Sequence, residues 1–183
     1  VENGDGTYDV HYTIPTRGLY LHEIKVSSSY IKVPVGQFAW PLQLQVYSSP
    51  TSPAHSLVDS TTPLPASPLA GESFSFNILA RDALGNPQLY ALGIYEGDDF
   101  VITSTLGGLR SGSASLVQDA SNGTYVVTMM LPKVGSYVIT VTLHDELIGT
   151  QYSAAGATYY VTVGAGMLSA PSSLITGPGL LGA

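Results

Sequence analysis

The sequence predicts an all-β chain of tandem β-sandwiches, one complete and two partial. Three observations carry this: a motif that returns at a fixed offset, alternation of apolar and polar residues with period two, and dense turn chemistry. The composition is 44% hydrophobic with 20 Gly and 12 Pro among 183 residues, apolar enough for a core and punctuated enough for many turns. Gly6-Thr7-Tyr8, Val10, Pro15, Gly18 and Tyr20 return as Gly123-Thr124-Tyr125, Val127, Pro132, Gly135 and Tyr137, every pair 117 positions apart (123 − 6 = 137 − 20). The same offset relates Leu42, Leu44 and Val46 to Tyr159, Val161 and Val163, and Ser56-Leu57-Val58 to Ser173-Leu174-Ile175.

The phase of the repeat divides the chain. Residues 1–47 are expected to form the C-terminal part of one unit with its last three strands, 48–53 a linker, 54–164 a complete unit, 165–170 a second linker and 171–183 the first strand of a next unit. Three strands would leave an apolar face uncovered, so residues 1–47 are expected to pack on sequence outside this chain. Within the complete unit, strands are predicted near 55–60, 73–81, 89–95 with 99–104, 113–118, 124–131, 136–143 and 157–163. Phe74, Phe76 and Ile78 alternate with Ser75, Asn77 and Leu79, as do Tyr137, Ile139, Val141 and Leu143 with their neighbours, which suits sheets with one face in the core. Seven short strands in about 100 residues fit a sandwich with Greek-key connections. Leu106-Gly107-Gly108 and Ser111-Gly112-Ser113 read as hairpin turns.

The run Asn3-Gly4-Asp5-Gly6-Thr7-Tyr8-Asp9-Val10-His11-Tyr12 with Pro15 and Gly18-Leu19-Tyr20 returns from Ser121 to Tyr137, and Ala70-Gly71-Glu72-Ser73-Phe74 runs on to Asp82-Ala83-Leu84-Gly85-Asn86-Pro87. These residues resemble the filamin-type immunoglobulin-like repeat, whose motif they follow over nearly the whole chain. Each device has a structural reason. The Asn-Gly or Asp-Gly pair supplies positive φ in a tight turn, and the tyrosine of Gly-x-Tyr resembles the tyrosine corner, whose hydroxyl bonds back to the backbone. Gly6, Tyr8, Gly18, Tyr20, Gly123, Tyr125, Gly135 and Tyr137 are therefore read as structural. Two features depart from the family. The period exceeds its usual repeat length, with the extra residues expected in loops near 105–113 and 144–156, and its Gly-Ser-Pro-Phe lead is reduced to Trp40-Pro41-Leu42 and Ala157-Thr158-Tyr159.

The residues argue against chemistry. A net charge of −7 with six scattered Lys and Arg offers no basic stripe for a phosphate backbone, so no nucleic-acid partner is expected. With no cysteine, disulfides and thiolate sites are excluded. No run reaches the roughly 18 apolar residues that span a bilayer and no leader pattern opens the sequence, so no membrane insertion is expected within this segment. Glu96, Asp98 and Asp99 lack the alternating spacing of a calcium loop and read as a solvated acidic turn. His11, His22, His55 and His144 lack metal-ligand spacing, and His22 is expected to sit partly buried on the inward face. No serine stands in a nucleophile elbow, and neither enzyme activity nor a cofactor is expected.

The expected function is structural or adhesive: repeats on short linkers forming an extended rod or scaffold, with neighbouring repeats and other proteins of a larger assembly as partners. Only 10% of residues are charged, Asn122-Gly123-Thr124 is an N-glycosylation sequon, and Ser/Thr/Pro-rich stretches occupy 48–53 and 60–68. These favour an extracellular, cell-surface or flagellar-surface setting. The family resemblance implies an alternative: an intracellular cytoskeletal or ciliary scaffold that takes a partner's extended peptide onto a sheet edge. Carried onto this sequence, that edge is the strand with Ala114, Leu116 and Gln118, facing Leu92 and Ile94. A second alternative is an accessory module of a carbohydrate-active enzyme, with Trp40, Tyr47, Tyr152 and Tyr160 as the candidate aromatic row.

Overall fold

The computed structural model describes residues 1–26, 29–30, 42–88, 98–119 and 123–166. They form only strands and turns: β1 (Gly18–His22), β2 (Lys25–Val26), β3 (Ser29–Tyr30), β4 (Leu42–Val46), β5 (Leu57–Val58), β6 (Ser73–Leu79), β7 (Phe100–Leu106), β8 (Leu109–Arg110), β9 (Ser113–Asp119), β10 (Thr124–Met130), β11 (Gly135–Leu143), β12 (Glu146–Leu147) and β13 (Thr158–Val163). The expected strands at 73–81, 99–104, 113–118, 124–131, 136–143 and 157–163 are present with small shifts at their ends. The one expected at 55–60 shortens to Leu57–Val58. The strand expected at 89–95, with Leu92 and Ile94, lies outside the described residues, as do Trp40, Glu96, Asn122 and residues 171–183.

Two antiparallel sheets face each other. One has the order β5-β6-β10-β9; in the other, β11 pairs with β7 on one side and with β13 and then β12 on the other, and β8 extends β7. The alternating residues meet between them: Phe76 and Ile78 from β6, Tyr125, Val127 and Met129 from β10, and Tyr137, Ile139, Val141 and Leu143 from β11 are all buried. Phe100 of β7 meets Tyr125 edge-on, with ring centroids 4.9 Å apart. Gly107 and Gly108, at φ of 58° and 82°, make the two-residue hairpin between β7 and β8. Ser111-Gly112-Ser113 is not a hairpin turn: β8 belongs to one sheet and β9 to the other, so these residues carry the chain across the sandwich.

The 117-residue offset survives as hydrogen-bond register. Gly18 pairs with Val46, Tyr20 with Leu44 and His22 with Leu42, and one period later Gly135 pairs with Val163, Tyr137 with Val161 and Ile139 with Tyr159. The hydroxyl of Tyr20 donates to the Thr16 carbonyl at 2.6 Å, and that of Tyr137 accepts from the Lys133 N–H at 3.3 Å. Both tyrosines thus reach back four residues, as a tyrosine corner does. Residues 7–14 depart from expectation. Their counterpart β10 is held between β6 and β9, whereas residues 7–14 have no strand on either side among the described residues and form none, beyond a single bridge between Glu2 and Tyr8. A strand needs partners for its backbone donors and acceptors, and pattern alone does not supply them.

Candidate functional site

Strand β9 is the edge of its sheet among the described residues, pairing with β10 alone. Ala114 stands opposite Met129, Leu116 opposite Val127 and Gln118 opposite Tyr125. Ser113, Ala114 and Ser115 are exposed, although Met129 and Thr128 across from Ala114 and Ser115 are buried and half-buried. The strand beside β9 across the crossover is β7, where the Ser104 hydroxyl donates to the Ser111 carbonyl just before β9 begins. An edge of this kind presents backbone donors and acceptors that a further extended segment can pair with.

A second constellation lies at the junction of residues 15–17 and 48–54 with the loop 81–88. Sequence reading placed Asp82 and Asn86 only as part of the repeat motif; their roles depend on the loop's shape. Asp82 is buried and its carboxylate accepts from the N–H groups of Leu84 (2.9 Å), Asn86 (2.8 Å) and Ser49 (3.1 Å) and from the Asn86 side-chain amide (2.9 Å). Burial pushes the Asp82 carboxyl up, but these hydrogen bonds, led by the Asn86 side chain, together outweigh it and hold its pKa below the ordinary 3.8. Asn86 then reaches out: its amide donates to the Pro15 carbonyl at 3.0 Å and its oxygen accepts from the Arg17 N–H at 3.3 Å. Ser48 donates to the Pro87 carbonyl (2.9 Å) and Gln88 to the Ser49 carbonyl (2.6 Å).

The longer loop also grips this stretch. His144 and Asp145, at φ of 51° and 64°, form the two-residue turn between β11 and β12, after which Ile148 enters the core. The N–H groups of Gly149 and Gln151 then donate to the carbonyls of Pro53 (2.9 Å) and Ala54 (3.1 Å). Residues 48–53, expected as a linker, are thereby seated together with Ala54 on both loops.

The remaining candidates disperse. Asp98 is not part of a solvated turn: it is buried, and its carboxylate accepts from Thr51 at 2.9 Å and from the core hydroxyl of Tyr125 at 3.3 Å. Asp99 is exposed. His22 is half-buried against Tyr12, with centroids 4.7 Å apart. His55 meets Ser52 at 3.1 Å, and no group of three or more His, Cys, Asp or Glu among the described residues could hold a metal. Tyr47, Tyr152 and Tyr160 are exposed but lie on separate elements: after β4, in the loop before β13, and on β13. Asp5, in the place Asn122 takes one period later, accepts from both the N–H and the hydroxyl of Thr7, and these bonds hold its pKa down. No helix among the described residues is long and apolar enough to cross a membrane.

The Filamin/ABP280 repeat model matches residues 50–151. No curated protein sequence matches. Among solved structures, the Escherichia coli adhesin FdeC is similar, at 22% identity over 74% of this chain and 39% of that one, with a TM-score of 0.52. InvD of Yersinia pseudotuberculosis is similar at 18% identity over 87% and 41%, with a TM-score of 0.53. The Lin-41 filamin domain is matched along 100% of its length and 64% of this chain at 15% identity, with a TM-score of 0.47. The chain spans about two fifths of the FdeC and InvD chains, and at these identities the likeness is one of fold.

Proposed function

Because the chain belongs to the Filamin/ABP280 repeat family, we propose that it is part of a structural or adhesive protein in which such repeats follow one another as an extended rod at the cell surface. The observation that carries this reading is the shared register: Gly18 with Val46 and Gly135 with Val163 are the same strand pair built twice, 117 residues apart (135 − 18). The seated stretch 48–54 supports restricted motion between units, since it is hydrogen-bonded to two loops of the complete unit, and Asn86 from one of those loops bonds in turn to Pro15 and Arg17 of the preceding unit. The surface setting is supported by the low charge and by the fold shared with FdeC, an adhesin.

Single-molecule stretching of the natural polypeptide tests it. Repeats of this period should unfold in even steps of about 40 nm, at roughly 3.6 Å per residue. Uneven steps would sink the array. Antibody labelling of intact cells tests the setting, and the mass of the peptide holding Asn122 shows whether the sequon carries a glycan.

The exposed edge at Ser113–Ser115 favours a second reading, in which β9 accepts an extended partner peptide in an intracellular cytoskeletal or ciliary scaffold. Labelling confined to permeabilised cells would promote it. No observation on the aromatic residues favours the carbohydrate-module alternative.

A further inference from the structure

The turn that holds Asn86 occurs twice in this chain, and among the described residues its first copy is occupied and its second is exposed. Pro15 and Arg17 precede Gly18 and the corner residue Tyr20; Pro132 and Val134 precede Gly135 and the corner residue Tyr137. Identical strand register gives the two turns the same place in the repeat, and in each the tyrosine reaches back four residues, to the Thr16 carbonyl in the first and to the Lys133 N–H in the second. At the first, Arg17 is half-buried and Asn86 bridges it to Pro15. At the second, Pro132 and Lys133 are exposed and Val134 is 59% exposed.

We propose that Pro132–Val134 is the docking site for the loop of a following repeat, an Asp-x-x-Gly-Asn-Pro segment like Asp82–Pro87, whose asparagine bridges the Pro132 carbonyl and the Val134 N–H. The proposal rests on the tandem reading above, and three features of the occupied joint define the partner. The contact is made to backbone, a carbonyl at Pro15 and an N–H at Arg17, so replacing Arg17 by Val134 one period later leaves the seat intact. The ligand must be a primary amide, because one group has to donate twice, to the seat's carbonyl and to the carboxylate that holds it, and accept once; a hydroxyl has a single donor, a carboxylate none, and an alkyl group neither donor nor acceptor. It must also be held ready, and in this chain Asp82 does that by taking the second amide hydrogen and the backbone N–H of Asn86. The neighbouring grip carries over in part: Ser49, whose N–H and carbonyl are both used, corresponds to Gly166, which keeps both groups, whereas Ser48, whose hydroxyl binds Pro87, corresponds to Ala165, which has none. The second joint is thus the same clamp with one hydrogen bond fewer.

Amide hydrogen exchange on the 183-residue chain and on the natural polypeptide extended through the next repeat tests this. The Arg17 N–H should be protected in both, and the Val134 N–H should slow about tenfold or more in the longer chain only, the effect expected of one gained hydrogen bond. Asn86→Ala should release Arg17 and leave Val134 unchanged, and alanine at the following repeat's asparagine should do the converse. If the downstream sequence carries the loop but Val134 exchanges equally fast in both chains, the docking proposal is wrong and the tandem reading stands. If the downstream sequence lacks the Gly-Thr-Tyr and Gly-x-Tyr motifs, the tandem reading fails and the proposal with it.

Discussion

Tyr125 and Asp98 are locked together from the core outward: the Asp98 N–H donates to the Tyr125 hydroxyl oxygen at 2.8 Å, and that hydroxyl donates to the Asp98 carboxylate at 3.3 Å. Thr51 adds its own hydroxyl to the carboxylate at 2.9 Å, so the core of the sandwich is tied to the stretch that leads into it. Tyr125→Phe keeps the ring against Phe100 and removes the shared oxygen. We expect a loss of about 1–2 kcal/mol in urea denaturation, with no change in the denaturant slope. A variant as stable as the parent would show that the pair contributes nothing net.

Val127 and Val10 occupy the same place in the repeat but different environments: Val127 is fully buried between the sheets and Val10 is 64% exposed. Val127→Ala should cost about 2–3 kcal/mol, from lost burial plus the cavity left behind. Val10→Ala in this chain should stay within about 0.5 kcal/mol. Equal effects would contradict the difference in packing.

Gly123 and Gly6 share positive φ, at 73° and 87°, but only Gly123 is crowded, since an added Cβ there would lie 2.8 Å from the Gln88 nitrogen. Gly6→Ala should cost about 1 kcal/mol of local backbone strain. Gly123→Ala carries the same strain plus a clash with main chain, and should cost about 3 kcal/mol or shift the 86–88 loop. Thermal denaturation of the two variants side by side decides it.

Asp82 makes the junction sensitive to acid. Its folded-state pKa lies below 3.8, so its contribution to stability is present above about pH 4 and is lost as pH falls through the folded value. Asp82→Asn turns one acceptor oxygen into a donor facing the Ser49 and Asn86 donors. It should cost about 2 kcal/mol at neutral pH and flatten the stability curve below pH 4. A parent and a variant with parallel acid limbs would assign the acid sensitivity to other carboxylates, such as Asp59, whose pKa is held down by Thr61.

Much of the fold is legible in the sequence. Period-2 alternation located β6, β10, β11 and β13 and the residues that face the core, because burial of one sheet face imposes that pattern directly on the chain. The 117-residue offset likewise announced the pairing of β1 with β4 as a copy of β11 with β13. A strand at β9 is also legible in the sequence, whereas the role of Asp98 is not. A run of acidic residues looks the same in sequence whether it faces solvent or a buried tyrosine.

By itself, the sequence determined the sandwich class, the repeat and the corner tyrosines, since propensity, turn chemistry and alternation act over neighbours that the chain order already supplies. Tertiary structure alone decided that Asp98 is buried against Tyr125, that Ser111-Gly112-Ser113 crosses between sheets, and that Asn86 reaches Pro15 and Arg17. The physical reason is common to all three. A backbone donor or acceptor is satisfied by whichever group lies within about 3 Å of it, and which group that is depends on how distant segments are brought together.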